Sequence, residues 1–453
     1  MNLSPNVSGR RSTSCLRLSK DDRLSVRNTA ASSVPVAKVG GFYRRLWSYI
    51  GPGLLVSVGY MDPGNWATDL AGGARYGYTL LSVVLLSSLF AMLLQHLALR
   101  LGIATGKDLA QACREQFSRR ISLLLWILAE IAIAACDLAE VIGSAIALNL
   151  LFGLPITFGV LLTTVDVLLV LLLQQRGMRA IEAFIAGLVF VIGICFAYEL
   201  LLSPPDALAM LKGLVPSPEI ISDPGMLYVA IGILGATVMP HNLYLHSSIV
   251  QTRAYPRSSR GKLVAIHYAS RDSNYALVAA FFVNAAILLM SASTFHNSAH
   301  QDLASIEDAY QLLTPLLGAS LASFVFGVAL LASGQSSTIT GTMAGQIVME
   351  GFLSLRLRPW VRQLISRALA MGPAVVAAFF FGMEGVGKLL IFSQVVLSLQ
   401  LGFAVVPLVW FTSNKRLMGR FVISPRFQVI AWAISVIIIL LNVYLLYQTV
   451  FGR

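Results

Sequence analysis

The sequence predicts an all-α polytopic membrane protein with eleven transmembrane helices, two of them broken near their middles. Three observations carry that prediction. Of the 453 residues 57% are hydrophobic and only 12% are charged, against about 25% charged in soluble domains. The apolar side chains fall into runs close to the roughly 20 helical residues that cross a hydrocarbon core. The basic residues gather in alternate loops between those runs, as lysine and arginine do on the cytoplasmic side of a membrane.

Residues 1–45 are polar and rich in serine and arginine. They lack the apolar core of a signal peptide and read as a disordered cytoplasmic tail. Residues 46–453 form the transmembrane domain. Its apolar segments are expected at about 49–72, 78–101, 121–151, 155–174, 179–203, 226–252, 273–295, 314–351, 362–383, 388–411 and 427–450. The third and eighth exceed what a span needs, so they tilt or run beyond the core.

Loop charge sets the orientation. Arg100, Lys107, Arg114, Arg119 and Arg120 surround the connection after the second segment. Arg176 and Arg179 follow the fourth, and Arg253, Arg257, Arg260, Lys262 and Arg271 the sixth. Arg356, Arg358, Arg362 and Arg367 follow the eighth, and Lys415, Arg416, Arg420 and Arg426 the tenth. The intervening loops hold Arg75, Lys212 and Lys388 with the acids Asp206, Glu219, Asp223, Asp302, Glu307 and Asp308. This asymmetry places the N-terminus in the cytoplasm and the C-terminus on the periplasmic or extracellular side of the cell's inner (plasma) membrane. The formal charge of +12 therefore does not mark a nucleic-acid-binding surface. Cys15, Cys113, Cys136 and Cys195 have no CxxC spacing and read as free thiols.

Segments one and six carry helix breakers among polar residues. The first reads Gly51-Pro-Gly and then Gly59-Tyr-Met-Asp62-Pro63-Gly64-Asn65; the sixth reads Gly235-Ala236-Thr-Val-Met239-Pro240-His241-Asn242. Proline removes a backbone donor and clashes with the preceding turn. If residues 46–205 and 224–411 are two five-span repeats, with an extra helix at 427–450, the breaks fall at corresponding positions. Five spans per repeat give the repeats opposite orientations. Matched breaks of this kind point to a transporter with its site between the unwound helices.

The breaks offer a carboxylate (Asp62), an amide oxygen (Asn65), a thioether (Met239) and freed carbonyls near Gly59 and Ala236. A thioether contributes little to Mg²⁺ or Ca²⁺ and favours borderline ions. The set reads as a site for a divalent transition metal. Two bland alternatives stand beside it: methionine is ordinarily packing material, and Asn65 could cap the second half-helix.

Asp62-Pro-Gly-Asn65 and Met239-Pro-His-Asn242 resemble the signature motifs of the natural resistance-associated macrophage protein (Nramp) family. Asp137-Leu-Ala-Glu140-Val-Ile-Gly and Gly334-Gln-Ser-Ser-Thr-Ile-Thr-Gly-Thr-Met-Ala-Gly-Gln346 resemble that family too. The resemblance covers roughly residues 45–450. It implies a LeuT-like fold of 5+5 inverted repeats and proton-driven import of Mn²⁺ and Fe²⁺, with Cd²⁺ and Co²⁺ as further substrates. It implies no cofactor, and a monomer is expected. The metal ligands it implies are Asp62, Asn65, Met239 and the Ala236 carbonyl, with Gln394 and Asn284 as second-tier contacts. The proton route it implies runs through Asp62, His241, Asp137 and Glu140, with Arg253 and Arg367 near its cytoplasmic end.

Some of this follows from the residues alone. Asp137 and Glu140 share one helix face, and intramembrane acids mark proton relays; the alternative is a structural pair with a buried arginine. His241 titrates nearest neutrality, which favours a proton or gating role over ligation. Glu130, a third acid in that segment, is balanced between structure and function. The small residues of 334–346 suit close helix packing. Three positions depart from the family pattern: Gly59 where alanine is common, Gly402 where proline is common, and Arg271, which is expected to pair with Asp272.

A Mg²⁺ carrier of the same superfamily would lack the thioether. An amino-acid symporter would lack the central acid. A membrane sensor would carry an added output domain, which the sequence does not suggest. An enzyme is not expected, because no nucleophile–base constellation or cofactor motif is present.

Overall fold

A computed structural model describes residues 33–37, 41–165, 172–173, 176–296, 306–317, 321–355 and 358–451. Its elements are almost entirely helical. In chain order they are α1 (Phe42–Tyr49), α2 (Pro52–Val58), α3 (Pro63–Tyr76), α4 (Leu81–Thr105), α5 (Leu109–Gln116), α6 (Arg119–Phe152) and α7 (Ile156–Leu162). There follow α8 (Met178–Leu202), α9 (Ala207–Gly213), α10 (Glu219–Ser222), α11 (Pro224–Thr237), α12 (Pro240–Ile249) and α13 (Ser259–Phe295). The last are α14 (Ile306–Leu317), α15 (Ala322–Leu353), α16 (Pro359–Ser413), α17 (Lys415–Met418) and α18 (Pro425–Phe451).

Among the described residues eight helices are long and apolar enough to cross a membrane. The expected first segment is two short helices, α2 and α3, and the fourth runs partly outside the described residues. The eighth begins at Ala322 rather than near 314, because α14 is a separate helix before it. Segments nine and ten were expected as two spans with a turn between them. They form one helix, α16, of 55 residues, about 80 Å long at 1.5 Å per residue. The intervening stretch has no proline to stop a helix, and Gly385 and Gly387 keep negative φ. Its qualifying span is Gly385–Ser413.

Part of the expected tail is ordered. Val34 exchanges backbone hydrogen bonds with Thr252 and Ala254 (3.0 and 2.8 Å), and α1 begins at Phe42. The central bundle packs α15 against α6 and α8, and α16 against α6 and α11. It also packs α13 against α2, α3 and α4. The small residues of 334–346 make those approaches possible. A Cβ on Gly334 would strike Ser144, and one on Gly341 would lie 2.8 Å from Glu140 Oε1. Cys113, Cys136 and Cys195 are free and buried, as expected.

Candidate functional site

Both breaks have the same local logic. In the first, α2 ends at Val58 and α3 starts on Pro63, with Asp62 as its N-cap. In the second, α11 ends at Thr237 and α12 starts on Pro240, with Met239 as its N-cap. Proline at the first helical position loses nothing, since that N–H has no helical partner anyway. Each break therefore sets a chemically active side chain at the start of a half-helix. Asp62 Oδ1 accepts from the Asn65 amide N–H at 2.9 Å. The cap is Asp62, so Asn65 is free of the capping role that the sequence left open.

Asn65 joins the two breaks. In its hydrogen-bond-satisfying orientation, Nδ2 donates to Asp62 Oδ1 (2.5 Å) and to the Ala236 carbonyl (3.2 Å), while Oδ1 accepts from Asn284 Nδ2 (3.2 Å). Turned over, the amide aims its oxygen at two other oxygens. A metal cation between them, or a proton on Asp62, would stabilise that arrangement. The Ala236 carbonyl is available because the last four carbonyls of a helix lack intrahelical partners.

Asn284 also donates to the Tyr60 carbonyl at 2.7 Å, and Ser333 Oγ to the Met61 carbonyl at 2.6 Å. Helices α13 and α15 thus satisfy the backbone that unwinding exposes. Gln394 reaches both breaks: a Cβ on Gly64 would strike its side chain and one on Gly235 its carbonyl. Asp62, Asn65, Ala236 and Gln394 are fully buried, so the site is closed to both sides. Among the described residues Asp62 Oδ2, Asn284 Oδ1 and Gln394 Oε1 have no hydrogen-bond partner. Buried polar atoms are nearly always paired, so unpaired oxygens on residues around the two breaks mark this region as a candidate ligand site.

The other expected site residues divide. Met239 is fully buried with Ala132, Cys136 and Leu397. Gly59 has ordinary helical φ and ψ and lies against the Asn242 side chain, which is why a small residue suits that position. Asp137 and Glu140 are buried in α6, and Glu140 accepts the Cys136 thiol at 3.5 Å. His241 is buried, with Nδ1 unpaired among the described residues. Glu130 is ion-paired with Arg362 at 3.0 Å, away from the breaks. The Arg367 side chain lies outside the described residues.

Arg253 is buried and pairs with Glu182 at 2.8 Å; it also donates to the Ile50 carbonyl at 2.7 Å. Arg179 binds the same carbonyl and Glu182. This network closes the end of α2 distant from Asp62. Asp272 closes it too, accepting from Gly53 N at 2.7 Å and Gly51 N at 3.2 Å. The expected Arg271–Asp272 pair does not form: successive helical side chains diverge, and Arg271 lies over the Phe42 ring instead. Gly402 packs against Ile439 of α18, and α16 runs on through it.

Sequence reasoning missed Glu182, the capping role of Asp272, Asp69, and a chain from Tyr60 through Gln95 to His246 (2.7 and 2.9 Å). The available signal was the same for all: a polar residue inside an apolar run.

A family model for "Natural resistance-associated macrophage protein-like" proteins matches residues 53–448. The chain belongs to the Nramp family. A divalent metal cation transporter MntH of Mesorhizobium japonicum is 57% identical over 434 residues, 96% of this chain and 95% of that protein. Its counterpart in Listeria innocua is 56% identical over 418 residues, 92% of this chain and 93% of that protein. Among solved Nramp structures, a manganese transporter of Eremococcus coleocola is 42% identical and superposes with a TM-score of 0.85. That match covers 92% of this chain and 89% of that one. Outside that level of identity, MhsT matches at 15% identity with a TM-score of 0.59, covering 88% of this chain and 98% of that one. It shows a shared fold alone. The expected LeuT-like architecture is borne out.

Proposed function

We propose that this Nramp protein imports divalent transition-metal ions, Mn²⁺ or Fe²⁺ with Cd²⁺ and Co²⁺ as further substrates, by proton-coupled alternating access. The observation that carries the proposal is the meeting of Asp62, Asn65 and the Ala236 carbonyl across two helix breaks, with Met239 at the N-cap position of the second. Three oxygens suit any divalent cation, and the thioether tips preference toward borderline ions. The names of the relatives support the same reading. The ion binds between α2–α3 and α11–α12 at mid-membrane. Protons pass through Asp62, His241, Asp137 and Glu140. Arg253 and Arg367 stand toward the cytoplasm, with the N-terminus inside and the C-terminus outside the plasma membrane. An inside-negative potential assists entry by about 2.3 kcal/mol per charge per 100 mV. Separation of the inner half-helix α2 from Glu182, Arg253 and Asp272 then opens the site inward.

The test is uptake by the monomeric protein in proteoliposomes, with Mn²⁺, Fe²⁺, Cd²⁺, Mg²⁺ and Ca²⁺ offered separately and luminal pH recorded. Mn²⁺ entry should acidify the lumen, and Asp62→Ala should abolish entry. Met239→Ala should keep Mn²⁺ uptake while letting Ca²⁺ or Mg²⁺ compete. Equal Mg²⁺ and Mn²⁺ uptake by the unaltered protein would point to a Mg²⁺ carrier, and no uptake of any ion to a sensor.

A further inference from the structure

Asp69 has no role in the site described above. It lies seven residues beyond Asp62 on α3, so it shares that residue's face about 10 Å further along the helix. It is 1% exposed, and neither carboxylate oxygen has a hydrogen-bond partner among the described residues. A buried carboxylate at membrane depth is costly and marks an ion pathway.

Its neighbours on α3 give it a direction. A Cβ on Gly72 would touch Ile233 and Val229 of α11, and one on Gly73 would lie 2.8 Å from Ser291 of α13. Asp69 falls between these two glycines on the helical wheel and so faces the seam between α11 and α13. Seven residues further on the same face is Tyr76. It lines a cavity of about 600 Å³ together with Asp206, Glu219, Lys212 and His296. One stripe of α3 therefore runs from this polar cavity through Tyr76 and Asp69 to Asp62, in steps of two turns.

We infer that Asp69 is a second cation-binding station, which takes a divalent metal ion from the outer cavity and passes it to Asp62 when α3 and α11 part from α13. The inference rests on the transport reading above. The ligand class is a hydrated divalent cation, held by one carboxylate and its own water shell. Such a station shortens the dry passage between the cavity and the central site.

The test uses the full chain in proteoliposomes. Asp69→Asn should raise the KM for Mn²⁺ about tenfold with maximal uptake nearly unchanged, and Asp69→Glu should restore it. Equilibrium Mn²⁺ binding in detergent, governed by the central site, should stay the same in Asp69→Asn. Asp62→Ala should lose uptake and the tight binding of the central site, keeping only the weaker binding at Asp69; if it keeps uptake and tight binding, the transport reading fails rather than the role of Asp69. An unchanged KM in Asp69→Asn overturns the proposal. A second measurement needs no change at Asp69: modification of Asp69 by a carbodiimide, read by mass spectrometry. Mn²⁺ should slow it even in Asp62→Ala protein, and labelling indifferent to Mn²⁺ overturns the proposal.

Discussion

Replacing Asp272 with alanine should release the inner half-helix. Asp272 is buried on α13 and is the acceptor for two N–H groups at the start of α2, Gly53 at 2.7 Å and Gly51 at 3.2 Å. Those donors have no helical partners, and the negative side chain also faces the positive end of the helix. A hydrogen bond to a charged group contributes about 1.5–3 kcal/mol net, and an orphaned buried donor costs about 1–3 kcal/mol. Once α2 swings out, water solvates both donors. The loss therefore falls on the closed state alone. Counting the Gly53 bond fully and the longer Gly51 bond weakly gives about 2 kcal/mol, or roughly a 30-fold shift toward the open state. The assay is the reaction rate of a cysteine at Leu54, half-buried on α2, with a water-soluble maleimide on detergent-solubilised protein, in a chain whose native cysteines are replaced. Asp272→Ala should label about 30-fold faster. Asp272→Asn, which keeps an acceptor oxygen, should fall between it and the parent. Equal rates in the parent and Asp272→Ala would refute the argument that Asp272 holds α2 closed.

Glu182→Gln strands the buried Arg253 guanidinium and should lower stability by about 3–5 kcal/mol, seen as a lower Tm in detergent. The double variant Glu182→Gln/Arg253→Gln should recover part of that loss, because no uncompensated charge remains. Gly143→Ala drives a methyl into the Pro63 ring, which cannot rotate away. It should cost about 1–3 kcal/mol and reduce Mn²⁺ uptake by displacing the neighbouring Asp62. Asp108 caps α5 in the connection between α4 and α6. Burial pushes its carboxyl up to about 7, against the opposing bond from Gln111 and the charge of Arg114. A carboxyl that binds its proton more tightly when folded contributes stability that is complete below its unfolded pKa and is lost as pH rises to about 7. Asp108→Asn, which retains a capping oxygen, should flatten the Tm–pH curve between about 4 and 7.

Much of the site could be read from the chain because its parts are local. Asp62 and Asn65 sit three residues apart around a proline, and Met239 immediately precedes another. Proline dictates a break wherever it falls, and a carboxylate inside an apolar run demands a reason. The Ala236 carbonyl was legible for the same cause, as backbone freed next to a break. Residues joined across the fold were harder. Arg253 stood out as one loop arginine among several, and only the packing of α8 beside the end of α12 brings Glu182 to it. Asp272 looked like a partner for Arg271 because they are adjacent in sequence, but neighbouring helical residues point apart. Glu130 belonged to a row of acids on α6, and its position along that helix gives it to Arg362 instead.

Composition, run length and loop charge determined a membrane-spanning helical chain, because solvation by lipid constrains every residue along a span. The motifs at the two breaks determined where its polar centre lies. Tertiary structure decided that segments nine and ten share one helix, since nothing in 383–388 compels a stop. It also decided that Asn65 binds across to Ala236 rather than capping its own helix, and that the half-helices close over the site. These depend on distances between residues up to about two hundred positions apart. Sequence pattern fixes the local backbone, whereas close contacts between distant helices depend on how all of them pack.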